Sequence, residues 1–326
     1  MCPVHNLCFF VLCYIMAFTG SVTAVLGRDL AHDLGKKGTV SDVTLYNHKQ
    51  GETVLAFVEP SGYPDKVQSL ITALNMSDQV IFKVSELNSY FAETLVALDA
   101  AGMETGFLIL GPDVLADPLK KLFAGTPVEN YQLIEQQVVP IREKLAEYKT
   151  DSAGDPVLQI DHSFAVKGVG TVALGVVKKG VLRRHDELTI YPNHLKALVK
   201  SIQVSDVDME EAGVGVRVGI AVKNLRPEEI DRGCVLSKKE VLTTDTLELD
   251  AVLSKYSPRS LEVGDVFLAS SALNYAPATV VDGAVTPGSK GRIKIKLDKA
   301  VPIIADRVLF MDPGLKMPRV FGYGLV

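Results

Sequence analysis

Residues 22–26 form a short apolar run that ends in Gly27, and the turn that follows reads Gly27-Arg28-Asp29-Leu30-Ala31-His32-Asp33-Leu34. In an open α/β sheet, ligands bind at the carboxyl ends of the strands, so this turn is the first place to look for chemistry. A phosphate loop here would read GxxxxGK[ST]. Its backbone amides would cradle phosphate, its lysine would neutralise charge and its hydroxyl would hold magnesium. Gly27 fits the first position, but His32 replaces the second glycine, Asp33 the lysine and Leu34 the hydroxyl residue. A carboxylate about 4 Å from a phosphate is repelled by roughly 4 kcal/mol per charge pair at an effective dielectric near 20. Tight triphosphate binding in the usual pose is therefore not expected. Farther on stands Gly35-Lys36-Lys37-Gly38-Thr39. Its spacing also misses the motif, because Leu30 stands five positions before Gly35 and Lys37 where the hydroxyl belongs. Two readings stay open for it: an irregular anion loop, or a solvated turn before a strand.

The surrounding pattern says what would position these residues. Strands are expected at 42–46, 53–58, 79–84 and 106–110, with helices at 64–75, 89–101, 118–123 and 140–148. Val67, Leu70, Ile71 and Leu74 share one helical face, as do Phe91, Leu95 and Leu98. Strand and helix alternate, so residues 16–150 are expected to form a doubly wound α/β domain.

The chain has 326 residues, enough for two or three domains. Its net charge of −5 is uneven. Residues 16–150 carry 11 Lys/Arg against 17 Asp/Glu, 157–240 carry 13 against 11, and 241–326 carry 10 against 9. A bulk polyanion binder is excluded, and any nucleic-acid contact is expected in the second or third domain. Of the four cysteines only Cys234 lies outside the first 15 residues, so no disulfide framework or zinc cluster is expected and the body reads as cytoplasmic. Residues 7–16 form an apolar run without a preceding Lys or Arg. We expect a misassigned start, with Met16 as the true one, over a signal peptide or membrane-associating segment.

From residue 155 the period changes. Short strands are expected at 158–166, 171–177, 187–191, 198–204, 217–223 and 234–237, the spacing of a small antiparallel barrel over 155–240. Pro227-Glu228-Glu229-Ile230 reads as one helical turn with Pro at its start. This stretch resembles the second domain of translational GTPases, above all that of the selenocysteine-specific elongation factors. The resemblance is carried by Ile160-Asp161-His162-Ser163-Phe164, Gly168-Val169-Gly170-Thr171-Val172, Gly215-Val216-Arg217-Val218-Gly219-Ile220 and Glu228-Glu229-Ile230-Asp231-Arg232-Gly233-Cys234-Val235-Leu236. It covers about 80 residues in order and at family spacing. The whole pattern is similar to a group of archaeal proteins named after elongation factor Tu domain 2, whose GTPase domain has decayed.

The resemblance implies a GTPase-like first domain, with Gly38-Thr39 near its first switch and Glu59-Pro60-Ser61-Gly62 near its second. GTPases carry DxxG at that second place. Glu59 is one methylene longer than Asp and would misplace a magnesium-linked carboxylate. Leu110-Gly111-Pro112-Asp113 stands where NKxD would read guanine, without its Asn or Lys. Residual nucleotide-site positions are thus Gly27, Gly35, Lys36, Lys37, Thr39 and Gly62. No cofactor is expected, and GTP with magnesium belongs to the alternative of a divergent GTPase using Gly35–Thr39. The resemblance also implies a pocket for the aminoacylated 3′ end of tRNA. Its available donors are Lys167, Arg183, Arg184, His185, Arg217 and Arg226. Lys178, Lys179, Arg183 and Arg184 sit in hairpin turns, where charge is commonly mere solvation. His162 reads as a packed histidine.

Residues 241–326 are expected to form a second small barrel. In Lys290-Gly291-Arg292-Ile293-Lys294-Ile295-Lys296-Leu297 the apolar and basic residues alternate, read as an aggregation-resistant edge strand over an RNA-binding one. Residues 318–326 resemble the closing strand of the family's third domain, and no C-terminal RNA-hairpin domain is expected beyond it. The sequence thus leads to an α/β domain followed by two β-barrels: an elongation-factor-like protein with a pseudo-GTPase domain. Its expected partners are tRNA, the ribosome or another translation component, with no membrane. A non-RNA scaffold recruiting a basic partner such as a ribosomal protein is the further alternative.

Overall fold

The computed structural model describes residues 18–150 and 152–326. The expectation for the first fifteen residues lies outside the described ones. The first domain runs β1 (Thr19–Leu26), α1 (Ala31–Leu34), β2 (Lys36–Val40), β3 (Thr44–Gln50), β4 (Thr53–Glu59), α2 (Val67–Met76), β5 (Gln79–Val84), α3 (Ser89–Ala101), β6 (Gly106–Leu110), α4 (Ala116–Phe123), β7 (Gln132–Leu133) and α5 (Val138–Ala146). The sheet order is β2-β3-β4-β1-β5-β6-β7. β4, β1, β5, β6 and β7 are parallel, while β2 and β3 add antiparallel at one edge. Apolar side chains of β1, β4 and β5 leave both faces, because helices cover both. One face packs on α2 and α3 through Leu70, Leu74, Leu95 and Leu98. The other packs on α1 and α5 through Leu34, Ile141 and Leu145. α3 opens on Asn88, whose side-chain oxygen accepts from the Tyr90 and Phe91 amides, and closes on Gly102 in the left-handed region.

The second domain comprises β8 (Val157–Val166), β9 (Gly170–Lys179), β10 (Leu182–Arg183), β11 (Glu187–Tyr191), β12 (Leu195–Val204), β13 (Val207–Met209), β14 (Glu211–Ala212), β15 (Arg217–Lys223) and β16 (Val235–Ser237). The order β11-β16-β8-β9-β15-β12 returns to β11 through a β11–β12 pairing, so the barrel closes. The expected helical turn is a 3-10 turn over Pro227–Glu229. The third domain is a closed barrel of β17 (Thr243–Leu253), β20 (Lys290–Pro302), β19 (Asn274–Gly283), β18 (Val266–Ser271), β21 (Arg307–Met311) and β22 (Val320–Leu325), in that spatial order.

One expectation is corrected here. The basic strand at 290–297 is not an edge: β20 lies between β17 and β19 in the closed barrel. Its outward cations face acids on β17, with Lys296 at 2.6 Å from Asp245 and Arg292 and Lys294 both on Glu248. The sequence shows which side chains share a face but not which strand lies alongside. The helix expected from residue 64 also begins later, at Val67.

The three domains are joined by polar contacts as well as apolar ones. Gly215, with φ +79°, lies so close to the first domain that a Cβ there would collide with the Gly20 carbonyl oxygen. Arg307 donates to the Asp99 and Ala100 carbonyls at the end of α3, where the helix dipole favours a cation. The Tyr275 hydroxyl meets Thr72 and the Gln68 carbonyl, each at 2.8 Å. Among the described residues, no helix is long and apolar enough to cross a membrane.

Candidate functional site

The carboxyl ends of β1, β4 and β5 open into a cleft of about 650 Å³ between α2 and α3. Gly27, Arg28, Glu59, Ser61, Lys83 and Tyr90 are among the residues that line it. Gly27 and Glu59 are therefore brought together, as the sequence implies for a nucleotide site. Their local chemistry is different. A Cβ on Gly27 would stand 2.5 Å from the Lys83 Cβ, so the missing side chain makes room for the Lys83 stem. The Glu59 carboxylate accepts from the Tyr46 hydroxyl at 3.1 Å. Burial first, and then that negative charge, push the Tyr46 hydroxyl pKa up.

The segment after Gly27 leads into a short helical turn. α1 is a single turn of four residues with Leu30 at its N-cap and no side-chain cap. His32 and Asp33 pair with each other at 3.1 Å on the surface. Arg142 on α5 holds the end of the turn, donating to the Leu34 carbonyl at 3.1 Å and to that of Asp33 at 2.9 Å. Gly35 is fully extended at φ −166°, and Lys36, Lys37, Gly38 and Thr39 lie in β2, the edge strand paired with β3. The backbone takes neither of the two forms left open for this stretch, loop or turn, and is itself a strand. Lys36 and Lys37 are exposed, and neither they nor Thr39 line the cleft. Gly62 donates its amide to the Asp42 carbonyl at 2.7 Å and ties the loop before β3 to the start of α2. Asp113 is exposed in the turn after β6.

The cations proposed for RNA contact fall into three groups. Arg217 is nearly buried. Its guanidinium donates to both Asp161 oxygens at 2.8 Å and to the Thr39 hydroxyl at 3.3 Å, which braces the barrel against β2. Burial alone would raise the Asp161 carboxyl, but the Arg217 charge and hydrogen bonds, with help from His162, hold it down at about 2. His162 Nδ1 lies 2.7 Å from the same carboxylate. Arg183, Arg184 and Arg226 are exposed but each pairs with a neighbouring acid: Glu211, Glu210 and Glu229, at 3.0–3.1 Å. Lys167, at the tip of the β8–β9 hairpin, is exposed and makes no ion pair among the described residues. His185 lies in the turn before β11 with φ +68°.

Sequence reasoning missed the residues that hold the domains together. Asp42 pairs with Arg232 at 2.6 Å between the first and second domains. Fully buried Glu93 on α3 takes Arg319 of the third domain at 2.7 Å. Glu93 lies among the buried positions of α3, and a carboxylate there signals a covering partner. Its identity, 226 residues away, has no local signal.

A family model described as elongation factor Tu domain 2 matches residues 170–237. The chain is 35% identical over 295 residues to an uncharacterized protein of Methanocaldococcus jannaschii, covering 90% of this chain and 94% of that one. It is 26% identical over 243 residues to the selenocysteine-specific elongation factor of the same organism, covering 67% of this chain and 52% of the factor's length. The apo crystal structure of translation elongation factor SelB from Methanococcus maripaludis superposes with a TM-score of 0.78 at 20% identity, covering 95% of this chain and 80% of that one.

Proposed function

This chain belongs to the translational GTPase family, of the elongation factor Tu and selenocysteine-factor type, and on that premise we propose that it serves translation as a pseudo-GTPase. In this reading it engages tRNA, the ribosome or another translation component without turning over GTP. The observation that carries the reading is the loop after β1. A phosphate site needs free backbone amides ahead of a helix whose dipole faces the anion. The one-turn α1 carries Asp33 and is followed by a strand, with the two lysines on an exposed edge. Isothermal titration with GTP and magnesium is expected to give no saturable heat at micromolar protein. Micromolar binding with hydrolysis would falsify the reading. If wild type binds and Lys36→Ala with Lys37→Ala does not, the divergent-GTPase alternative replaces it.

On the barrel side, Lys167 is the cation best placed to meet a phosphate. Filter binding of charged against uncharged tRNA tests this arm. Binding that is unchanged in Lys167→Glu removes the hairpin tip from the contact.

A further inference from the structure

The cleft at the carboxyl ends of β1, β4 and β5 has walls that suit a smaller ligand than a nucleoside triphosphate. We propose that it binds a planar aromatic ring carrying one anionic group, either a carboxylate or a single phosphate. The proposal rests on the pseudo-GTPase reading only in that no triphosphate claims the same space.

One wall is aromatic and fixed in angle. Tyr63 and Tyr90 meet edge to face, with centroids 6.2 Å apart and planes at 81°. The Tyr63 hydroxyl donates to the Tyr90 carbonyl at 3.2 Å. On the far side Arg319 lies 5.8 Å from the Tyr63 ring centroid, so the third domain backs this wall. Behind it Phe91 stacks on Phe82 at 5.9 Å, nearly parallel. Tyr90 remains 44% exposed although it lines the cleft, which leaves ring surface for a ligand. A planar ligand ring can stack on such a surface whatever its substituents, because every aromatic ring has a π-face.

The lining also supplies charge. Lys83 Nζ donates to the Arg28 carbonyl at 3.3 Å, and among the described residues neither Lys83 nor Arg28 has a carboxylate partner. The Lys83 ammonium thus sits against the Arg28 backbone, and both residues line the cleft. Glu59 and Glu86 also line it. Two positive and two negative charges leave no net attraction for a polyphosphate. One anion placed against Lys83 and Arg28 still gains charge-assisted hydrogen bonds, and the two carboxylates can accept from ligand hydroxyl or amino groups.

The chain contains no tryptophan, so an indole probe fluoresces without tryptophan background from the protein. N-acetyltryptophan supplies a ring with a carboxylate, GMP a ring with one phosphate, and N-acetyltryptophanamide a ring without charge. The full chain is expected to bind one of the first two saturably and not the amide. The preferred anion tells a carboxylate from a phosphate ligand. Lys83→Met and Tyr90→Ala are each expected to weaken binding roughly tenfold, and Glu86→Gln, on the exposed rim, to strengthen it a few-fold. Failure of both anionic probes below millimolar concentration, or binding indifferent to all three substitutions, overturns the proposal. GTP–magnesium binding that ignores Lys83→Met would instead count against the pseudo-GTPase reading alone, so the two failures are distinguishable.

Discussion

Replacing Glu93 with alanine is expected to destabilise the protein by about 3–5 kcal/mol, the usual cost of removing one partner from a buried ion pair. Glu93 is fully buried on α3. One of its oxygens accepts both the Arg319 amide, at 2.5 Å, and the Arg319 Nε, at 3.1 Å, and the other accepts Nη2 at 2.7 Å. Removing the carboxylate leaves a guanidinium and a backbone amide buried without an acceptor, and the positive charge cannot be discharged at accessible pH. The loss should fall on the contact between α3 and β22, so urea unfolding would show the third domain separating before the first unfolds. Glu93→Gln keeps an acceptor and should lose less. The pair Glu93→Leu with Arg319→Met removes both charges and should recover most of the stability. A double variant as unstable as Glu93→Ala would show that packing, not the uncompensated charge, sets the cost.

A second large effect is expected at Arg217. Arg217→Ala strands the Asp161 carboxylate in the barrel wall with only His162 beside it, again at a cost of about 3–5 kcal/mol near neutral pH. The acid dependence follows from the sign of the shift. In the folded protein Asp161 titrates at about 2, below the value of about 3.9 for an exposed aspartate. The carboxylate therefore contributes stability that is fully present above pH ~4 and lost as pH falls toward 2, amounting to about 2 kcal/mol. In Arg217→Ala burial is no longer opposed by the guanidinium, so the carboxyl pKa rises and protonation relieves the fold. The gap between wild type and variant should narrow as pH falls below about 4. Urea midpoints measured across that range check it, and a constant gap would mean that Arg217 acts through packing and Thr39 rather than through Asp161.

Much of this architecture is legible in the sequence for a plain reason. β5, α3 and β6 have the expected bounds, because each is an unbroken apolar pattern framed by polar or glycine residues. The barrel strands β11 and β15 match for the same reason. What stays hidden is whatever depends on a distant neighbour. The stretch Lys36–Val40 has two lysines and a glycine in five residues and no local reason to be a strand. It becomes one because β3 offers its edge. Arg217 shows its charge in the sequence, but its burial is set by Asp161, 56 residues earlier. The aromatic wall of the cleft is similarly split. Tyr63 precedes α2 while Tyr90 opens α3, and only the fold of β5 between them makes the rings meet.

The short α1 has a thermodynamic consequence. Leu30, Ala31 and Leu34 are completely buried against the sheet and α5, and Arg142 satisfies the carbonyls at the end of the turn. A loop that folds around a bound nucleotide draws stability from it by mass action, so its melting point follows ligand concentration. Here the corresponding turn is closed by side chains of the same chain. If the proposed pseudo-GTPase reading holds, the melting temperature of the first domain is expected to stay constant as GTP and magnesium are added, and a rise with ligand concentration would count against that reading.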